Sequence, residues 1–458
     1  MTTTLLAAEA SDTELVSLFW IVLAVWAAPL LSGFTRSFIP GVVLLLVGGM
    51  VIGPNGLGLA VESGGVALLA ELGLGLLFLL AGFELEVSTL TGRSGRRAAG
   101  TWVVSLILAA GVGWLVSGRW ETAVAIGLLL TSTAVGTLLP ILKGSGHDST
   151  PVGRAVLTHG AVGELGPILV MAVLLGTRSI ESSIAAVGLF LVAALVILAV
   201  PARLLHIPAL GRALLQGTTS NSQLAMRTVI LLLATMMVVA TVFGLDVVLG
   251  AFAAGMILRR LVDSLGTHLR SGTDTPDRGL AAILLRQLET VGYTLFIPAF
   301  FVVSGMGIDL GAVAESPWIL VAAVVSMLVI RGGGVWLGET VTHASQGLDG
   351  PRERARVGLY AATGLPIIVA VTEVAVNNGL MTGEISSVLV AAGAVTVLLF
   401  PLLAELVRAG DPGRRPDETP LSGAEPVLPR SQGDDDNGDN GDNEHSDHNN
   451  HDDEVGRR

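Results

Sequence analysis

A glutamate, Glu164, stands in the middle of an otherwise apolar stretch, residues 153–176. About 20 apolar residues span the hydrocarbon core of a bilayer. An ionisable side chain near its centre costs a few kcal/mol or more, so an acid at that depth marks an ion or proton pathway. A carboxyl withdrawn from water is harder to ionise than one with the ordinary value of about 4.3, so a single group can hold either a proton or a monovalent cation near neutral pH. Competition of two ions for one carboxylate is exchange in its simplest form. The bland alternative is a structural glutamate satisfied by a neighbouring helix. Gly160, Gly163 and Gly166 give the same segment a small-residue face that lets another helix approach closely.

Two further segments carry groups that could meet this carboxylate. Thr131-Ser132-Thr133 lies in the fifth apolar span, which is expected to end at Pro140, and Thr363-Gly364-Leu365-Pro366 lies in the twelfth. Hydroxyls, glycine and proline interrupt helices and free backbone carbonyls, which a membrane tolerates only where they face protein or a cavity. Interrupted helices at matching positions point to a transporter site. The candidate ion- and proton-binding set is therefore Glu164, Thr131, Ser132 and Thr133, with Gly364 and Pro366 in the partner's unwound stretch. For either segment alone, the alternative is that the hydroxyls bond back to their own helix and Pro366 makes a kink.

Charge inside the spans adds two supporting candidates. Arg331 lies within the eleventh span, ahead of Gly332-Gly333-Gly334, and needs a carboxylate or a set of carbonyls; Glu164 and Glu373 are its expected partners, and snorkelling to an interface is the alternative. A guanidinium does not deprotonate in proteins, so it can hold a carboxylate but not carry the transported proton. Glu71 and Asp246 are weaker candidates, Asp246 being expected to cap a helix. His159 is expected to be packed or hydrogen bonded, with tuning of a pH response as the alternative.

The elements that must position these groups follow from composition. Of 458 residues 51% are hydrophobic and 14% charged, and mean hydropathy is +0.71, which describes an all-α polytopic membrane protein. Cysteine is absent, which excludes disulfides, thiolate metal sites and cysteine nucleophiles. No removable signal peptide is evident. Thirteen candidate transmembrane helices begin near Glu14, Phe38, Gly65, Ala98, Glu121, Gly153, Ile180, Leu224, Asp246, Glu289, Pro317, Arg356 and Ile385. With the N-terminus outside, the cytoplasmic loops hold 17 Lys and Arg residues and the outer loops two, Arg119 and Arg178, so the C-terminus is expected in the cytoplasm. Residues 411–458 hold 14 acids against five basic residues, with His445, His448 and His451 among them, and are expected to be a disordered tail in which the histidines are solvated rather than metal-binding. FLLAGFELE at residues 78–86 resembles FVVSGMGID at residues 301–309, and Gly49-Met50 is echoed by Gly255-Met256. The offset of seven helices gives the two halves opposite topology, an inverted repeat of the kind that builds secondary transporters.

Five motifs in this order resemble the bacterial and archaeal monovalent cation:proton antiporters, including the NapA-type sodium exchangers and the Kef-type potassium efflux systems. They are IPGVVLLLVGGMVIGPNGLG (39–58), AELGLGLLFLLAGFEL (70–85), LTSTAVGTLLPIL (130–142), VVLGAFAAGMIL (247–258) and PAFFVVSGMGIDL (298–310), within a resemblance covering about residues 15–405. The resemblance implies a homodimer in a prokaryotic cell membrane, contacting lipid and no nucleic acid. Panel helices would fall at about 14–90 and 223–310, and an elevator-like core at about 98–176 and 317–408, with crossed unwound helices at Thr131–Thr133 and around Thr363–Pro366. No resident cofactor or metal is expected, only transported Na+ or K+ and H+. Electrogenic members carry two adjacent aspartates where this chain has Gly163-Glu164, and a lysine where it has Arg331, so electroneutral exchange of one cation for one proton is expected. The nucleotide-binding regulatory domain of Kef-type proteins is not expected in the residues that follow the membrane part. A gated monovalent cation channel is the alternative, disfavoured because nothing repeats four times around a pore. An enzyme is not expected, since no nucleophile, base and orienting group occur together outside the membrane.

Overall fold

The computed structural model describes residues 2–34, 39–85, 90–144, 146–147, 150–174, 180–205, 222–269, 278–343, 345, 347–348 and 350–409; the acidic tail lies outside the described residues. Every regular element among them is a helix, as a chain without water to satisfy its backbone requires. The order is α1 (Thr2–Phe34), α2 (Gly41–Ile52), α3 (Gly64–Glu84), α4 (Arg93–Ser117), α5 (Trp120–Thr131), α6 (Val135–Gly144), α7 (Pro151–Leu174), α8 (Ile180–Leu205), α9 (Ser222–Val242) and α10 (Val247–Leu269). Then α11 (Arg278–Val291) passes through a π-helical turn, Gly292–Phe296, into α12 (Ile297–Met306), followed by α13 (Leu310–Glu315). The last group is α14 (Pro317–Ser326), a second π-helical stretch (Met327–Gly332), α15 (Gly333–Thr342), α16 (Pro351–Ala361), α17 (Pro366–Asn377) and α18 (Gly383–Ala409).

Each of the thirteen predicted segments falls on helix, but thirteen full crossings are not reached by length and apolarity. Among the described residues nine helices meet both requirements, and α16 with α17 makes a tenth crossing bent by 41°; the apolar helices at Gly41–Ile52 and Glu181–Ile197 are shorter. The second half of α10 carries Arg259, Arg260 and Asp263, which interrupts its apolar run. Expected boundaries shift where the chain supplies its own stops. Asp246 caps α10 by accepting the Val248 N–H at 2.8 Å, and Asp309 caps α13 by accepting from the Gly311 and Ala312 amides. The helix expected to stop at Pro140 instead continues to Gly144.

The inverted repeat is visible in the packing. Helix α2 packs on α12 and α3 packs on α10, and the contacts correspond residue by residue. A Cβ at Gly49 of α2 would strike the Val302 carbonyl of α12, while a Cβ at its repeat mate Gly255 of α10 would strike the Leu79 carbonyl of α3. Conversely, Gly305 of α12 lies against the Leu46 carbonyl and its mate Gly82 of α3 against the Phe252 carbonyl. Lipid offers no hydrophobic drive between helices, so such close backbone approach is what holds them together. The opposing atoms are main chain and cannot rotate away. Gly49→Ala and Gly255→Ala are each expected to cost about 1–3 kcal/mol or more, read as a lower thermal unfolding midpoint in detergent, with Gly33→Ala, which meets nothing within 4 Å, as the silent control.

Helices α1 and α9 join this group on α2 and α10, while a second group packs mainly within itself. Helix α4 lies on α5, α7 and α15, α16 lies on α7, α15 and α18, and α14 lies on α18. Arg356 of α16 and Arg408 pair with Glu405 of α18 at 3.7 and 3.1 Å, and the Tyr360 hydroxyl donates to the same carboxylate at 2.8 Å.

Candidate ion-binding site

The interruption in the fifth predicted span is a true break. Helix α5 ends at Thr131, Ser132 is extended (φ −68°, ψ 152°), and helix resumes at Val135. The twelfth span breaks in the same manner between Ala361 and Pro366, whose ring suits the first position of the new helix. The two breaks touch. The Ala134 N–H donates to the Thr363 carbonyl at 2.9 Å, and a Cβ on Gly364 would lie 2.6 Å from Ser132 Oγ. Two helix N-termini and two C-termini therefore meet at one place, so unpaired amides and carbonyls, with their partial charges, converge there.

The three hydroxyls are fully or almost fully buried, and each donates to a backbone oxygen. Thr131 Oγ1 reaches Gly127 O at 2.7 Å, Ser132 Oγ reaches Leu129 O at 3.0 Å, and Thr133 Oγ1 reaches Ala361 O at 2.5 Å. Thr131 and Ser132 thus bond back along their own helix and present lone pairs only, while Thr133 ties one break to the other.

Proline brings α7 into this crossing. Pro167 has no N–H for the carbonyl four residues earlier, Gly163, and that carbonyl accepts the Thr133 N–H at 3.0 Å instead. Glu164 is the next residue. It is 4% exposed, and among the described residues it makes no hydrogen bond or ion pair. It lines a cavity of about 450 Å³ together with Glu84, Arg154, Thr158 and Arg259. This cavity lies at the face where α3 ends and α7 begins. The structure therefore places Glu164 one residue from the crossing, with an open route to it.

Arg331 has neither of its expected partners. It lies in the second π-helical stretch with no exposed surface, which also excludes snorkelling. Its Nε and Nη2 donate to Thr133 Oγ1 at 3.3 and 3.2 Å, and Nη2 donates to the His159 carbonyl at 2.7 Å. The extra residue of a π turn re-aims the side chain relative to an ideal α-helix, and it points at the crossing rather than at Glu164. The absent side chain of Gly163 makes room: a Cβ there would sit 2.6 Å from Arg331 Nη2. Glu373 is elsewhere. With Glu62, Glu71, Asp246 and Asn377 it lines a second cavity of about 530 Å³, at the face where α3 and α10 begin. Burial pushes the carboxyl of Glu62, in the loop before α3, above its ordinary value.

One pairing had no signal in the sequence. His159 Nε2 lies 2.7 Å from Glu339 Oε1, and both residues are 1% exposed. Glu339 also accepts from Ser345, whose Oγ is at 2.8 Å and whose N–H is at 3.0 Å. Glu339 sits one turn from the end of its span, where an acid reads as an interfacial residue.

Comparison with known proteins bears on the family and the fold. The family model for the sodium/hydrogen exchanger, transmembrane, matches residues 21–405. YjbQ of Bacillus subtilis is 23% identical over 337 residues, 70% of this chain and 52% of that one. K(+) efflux antiporter 2, chloroplastic, of Arabidopsis thaliana is 29% identical over 418 residues, 86% of this chain and 32% of that one. The chain thus spans about half and about a third of the length of these two relatives. The sodium proton antiporter MjNhaP1 from Methanocaldococcus jannaschii shares the fold at a TM-score of 0.59 and 18% identity, covering 86% of this chain and 96% of that one. The Arabidopsis and Methanocaldococcus proteins are both named as antiporters. Broken helices crossing beside a buried acid, on a multi-pass helical frame whose own sequence matches along 21–405, make this chain a member of the sodium/hydrogen exchanger family.

Proposed function

We propose that this chain exchanges Na+ or K+ for H+ across the prokaryotic cell membrane, one for one and without net charge movement, with Glu164 holding either the proton or the cation. The observation that carries this reading is the state of Glu164: buried, unpaired, lining a cavity, and one residue from the carbonyl that binds the unwound segment. Lone pairs of Thr131 and Ser132 and free carbonyls at the crossing would complete the cation's shell. Glycine at 163 leaves one carboxylate at the crossing, and Arg331 keeps its charge throughout the cycle, which supports electroneutral stoichiometry.

The excess of Lys and Arg in alternate loops makes the face where α3 ends cytoplasmic, so the Glu164 cavity opens inward and the Glu373 cavity outward. Alternating access would then move α4–α7 and α14–α18 as a core against α1–α3 and α9–α12, the panel that would also carry a homodimer contact. One pH unit, about 1.36 kcal/mol, would sustain roughly a tenfold cation gradient in such an exchanger and serve pH homeostasis. Proteoliposomes with an internal pH dye, given Na+ at potentials set by K+ gradients and valinomycin, test this. One rate at every potential is expected. A clear voltage dependence refutes the stoichiometry, and single-channel currents would favour the channel reading.

A further inference from the structure

Arg331 is a full positive charge without exposed surface, and its hydrogen bonds end on two neutral oxygens, the Thr133 hydroxyl and the His159 carbonyl. Its Nη1 is buried with no hydrogen-bond partner. A cation so far from water is held only where an anion balances it. Glu164 does not do so, for it forms no ion pair and lines its own cavity. Glu373 lines the cavity at the opposite face.

Glu339 is placed to balance it. His159 accepts from Arg331 with its backbone carbonyl and meets Glu339 with its ring at 2.7 Å, so the guanidinium and this carboxylate bracket one residue. The His159 ring and two Ser345 donors converge on the carboxylate, the arrangement that suits a charged acceptor. Glu84, Arg154 and Arg259 face Glu164 from its own cavity rather than Arg331, and several other charged side chains near α7 have partners of their own. Arg356 and Arg408 pair with Glu405, Arg259 pairs with Asp263 at 3.2 Å, and Arg97 donates to the His343 carbonyl.

We propose that Glu339, acting through His159, is the counter-charge of Arg331 and thereby leaves Glu164 unpaired for the transported ion, an inference that rests on the exchange reading above. Glu339 is a positioning residue, since it touches no transported ion itself. Glu339→Gln in the reconstituted full chain keeps the shape and an acceptor for His159 while deleting the charge. The uncompensated guanidinium then competes for Glu164. Removing one charge of a buried set is worth on the order of 1–2 kcal/mol at an effective dielectric of about 20, so the apparent KM for the cation is expected to rise about tenfold. The acid limb of the pH profile is expected to move about one unit lower by the same term. Glu339→Asp should recover both. A purely structural Glu339 would lower the maximal rate and leave KM and the acid limb unmoved, and that outcome overturns the proposal.

A second arm needs no transport. Thermal unfolding in detergent of Arg331→Gln, Glu339→Gln and the double variant forms a cycle in which the double is expected to lose less than the sum of the singles. Additive losses overturn the proposal. Should Glu339→Gln not accumulate, recovery of folded protein on adding Arg331→Gln supports the pairing and no recovery overturns it. A wild-type chain that moves no cation would refute the exchange reading alone, and the unfolding cycle would still decide the charge balance.

Discussion

Everted membrane vesicles carrying Glu164→Gln are expected to show no cation-induced alkalinisation, with the exchange rate below about 1% of wild type. Glutamine has nearly the same volume and fits the same cavity, so the fold is expected to survive. What disappears is the negative charge. On the proposed assignment the other ligands at the crossing are neutral oxygens, and a partly desolvated cation loses a few kcal/mol when its anionic ligand is removed, which is a factor of a hundred or more in occupancy. A carboxamide also has no proton to release in this pH range. Both half-cycles therefore stop together, which separates this variant from one that damages access alone. Wild-type exchange in Glu164→Gln would move the site to Glu84, the other acid in the same cavity.

The sequence was informative where physics punishes an exception. A lone acid in an apolar span, and glycine, proline and hydroxyls where a helix should be continuous, are costly in a membrane, so Glu164, Thr131–Thr133 and Gly364–Pro366 stand out against their surroundings. The glycine echo of Gly49 with Gly255 and Gly82 with Gly305 was visible for the same reason, although only the structure shows these residues as two matched pairs of close approaches. What was illegible depends on rotation about a helix axis. The π-helical stretch at Met327–Gly332 re-aims Arg331, so its expected ion pair with Glu164 or Glu373 gave way to Thr133 and the His159 carbonyl. The role of Pro167 was equally hidden, because a freed carbonyl has meaning only once Thr133 is known to lie beside it. Glu62, Glu71, Asp246 and Glu373 share one cavity yet come from widely separated segments, and no local pattern links them.

Gly364→Ala is expected to reduce exchange at least tenfold and to lower the unfolding midpoint, because the chain at this point has no direction in which to retreat. On one side the new methyl would sit 2.6 Å from Ser132 Oγ and 2.9 Å from the Ser132 carbonyl oxygen. The hydroxyl could turn away, but the carbonyl belongs to the opposing backbone. On the other side α18 presses close. Thr396 Oγ1 lies 3.4 Å from the Gly364 N–H and 3.5 Å from its carbonyl, and a Cβ at Gly393 would already be 3.0 Å from that carbonyl. Relief must come from separating the two breaks, which stretches the Ala134–Thr363 hydrogen bond, worth about 1 kcal/mol, on top of about 1–3 kcal/mol of overpacking. Thr133 would follow its neighbour and loosen its hold on Ala361, Gly163 and Arg331 together. Transport should therefore fall further than stability alone predicts, and Gly364→Ala combined with Ser132→Ala should recover little, since the side-chain clash is relieved while the backbone one remains. Near-complete recovery in that double variant would show that the hydroxyl, rather than the closeness of the two main chains, sets the crossing.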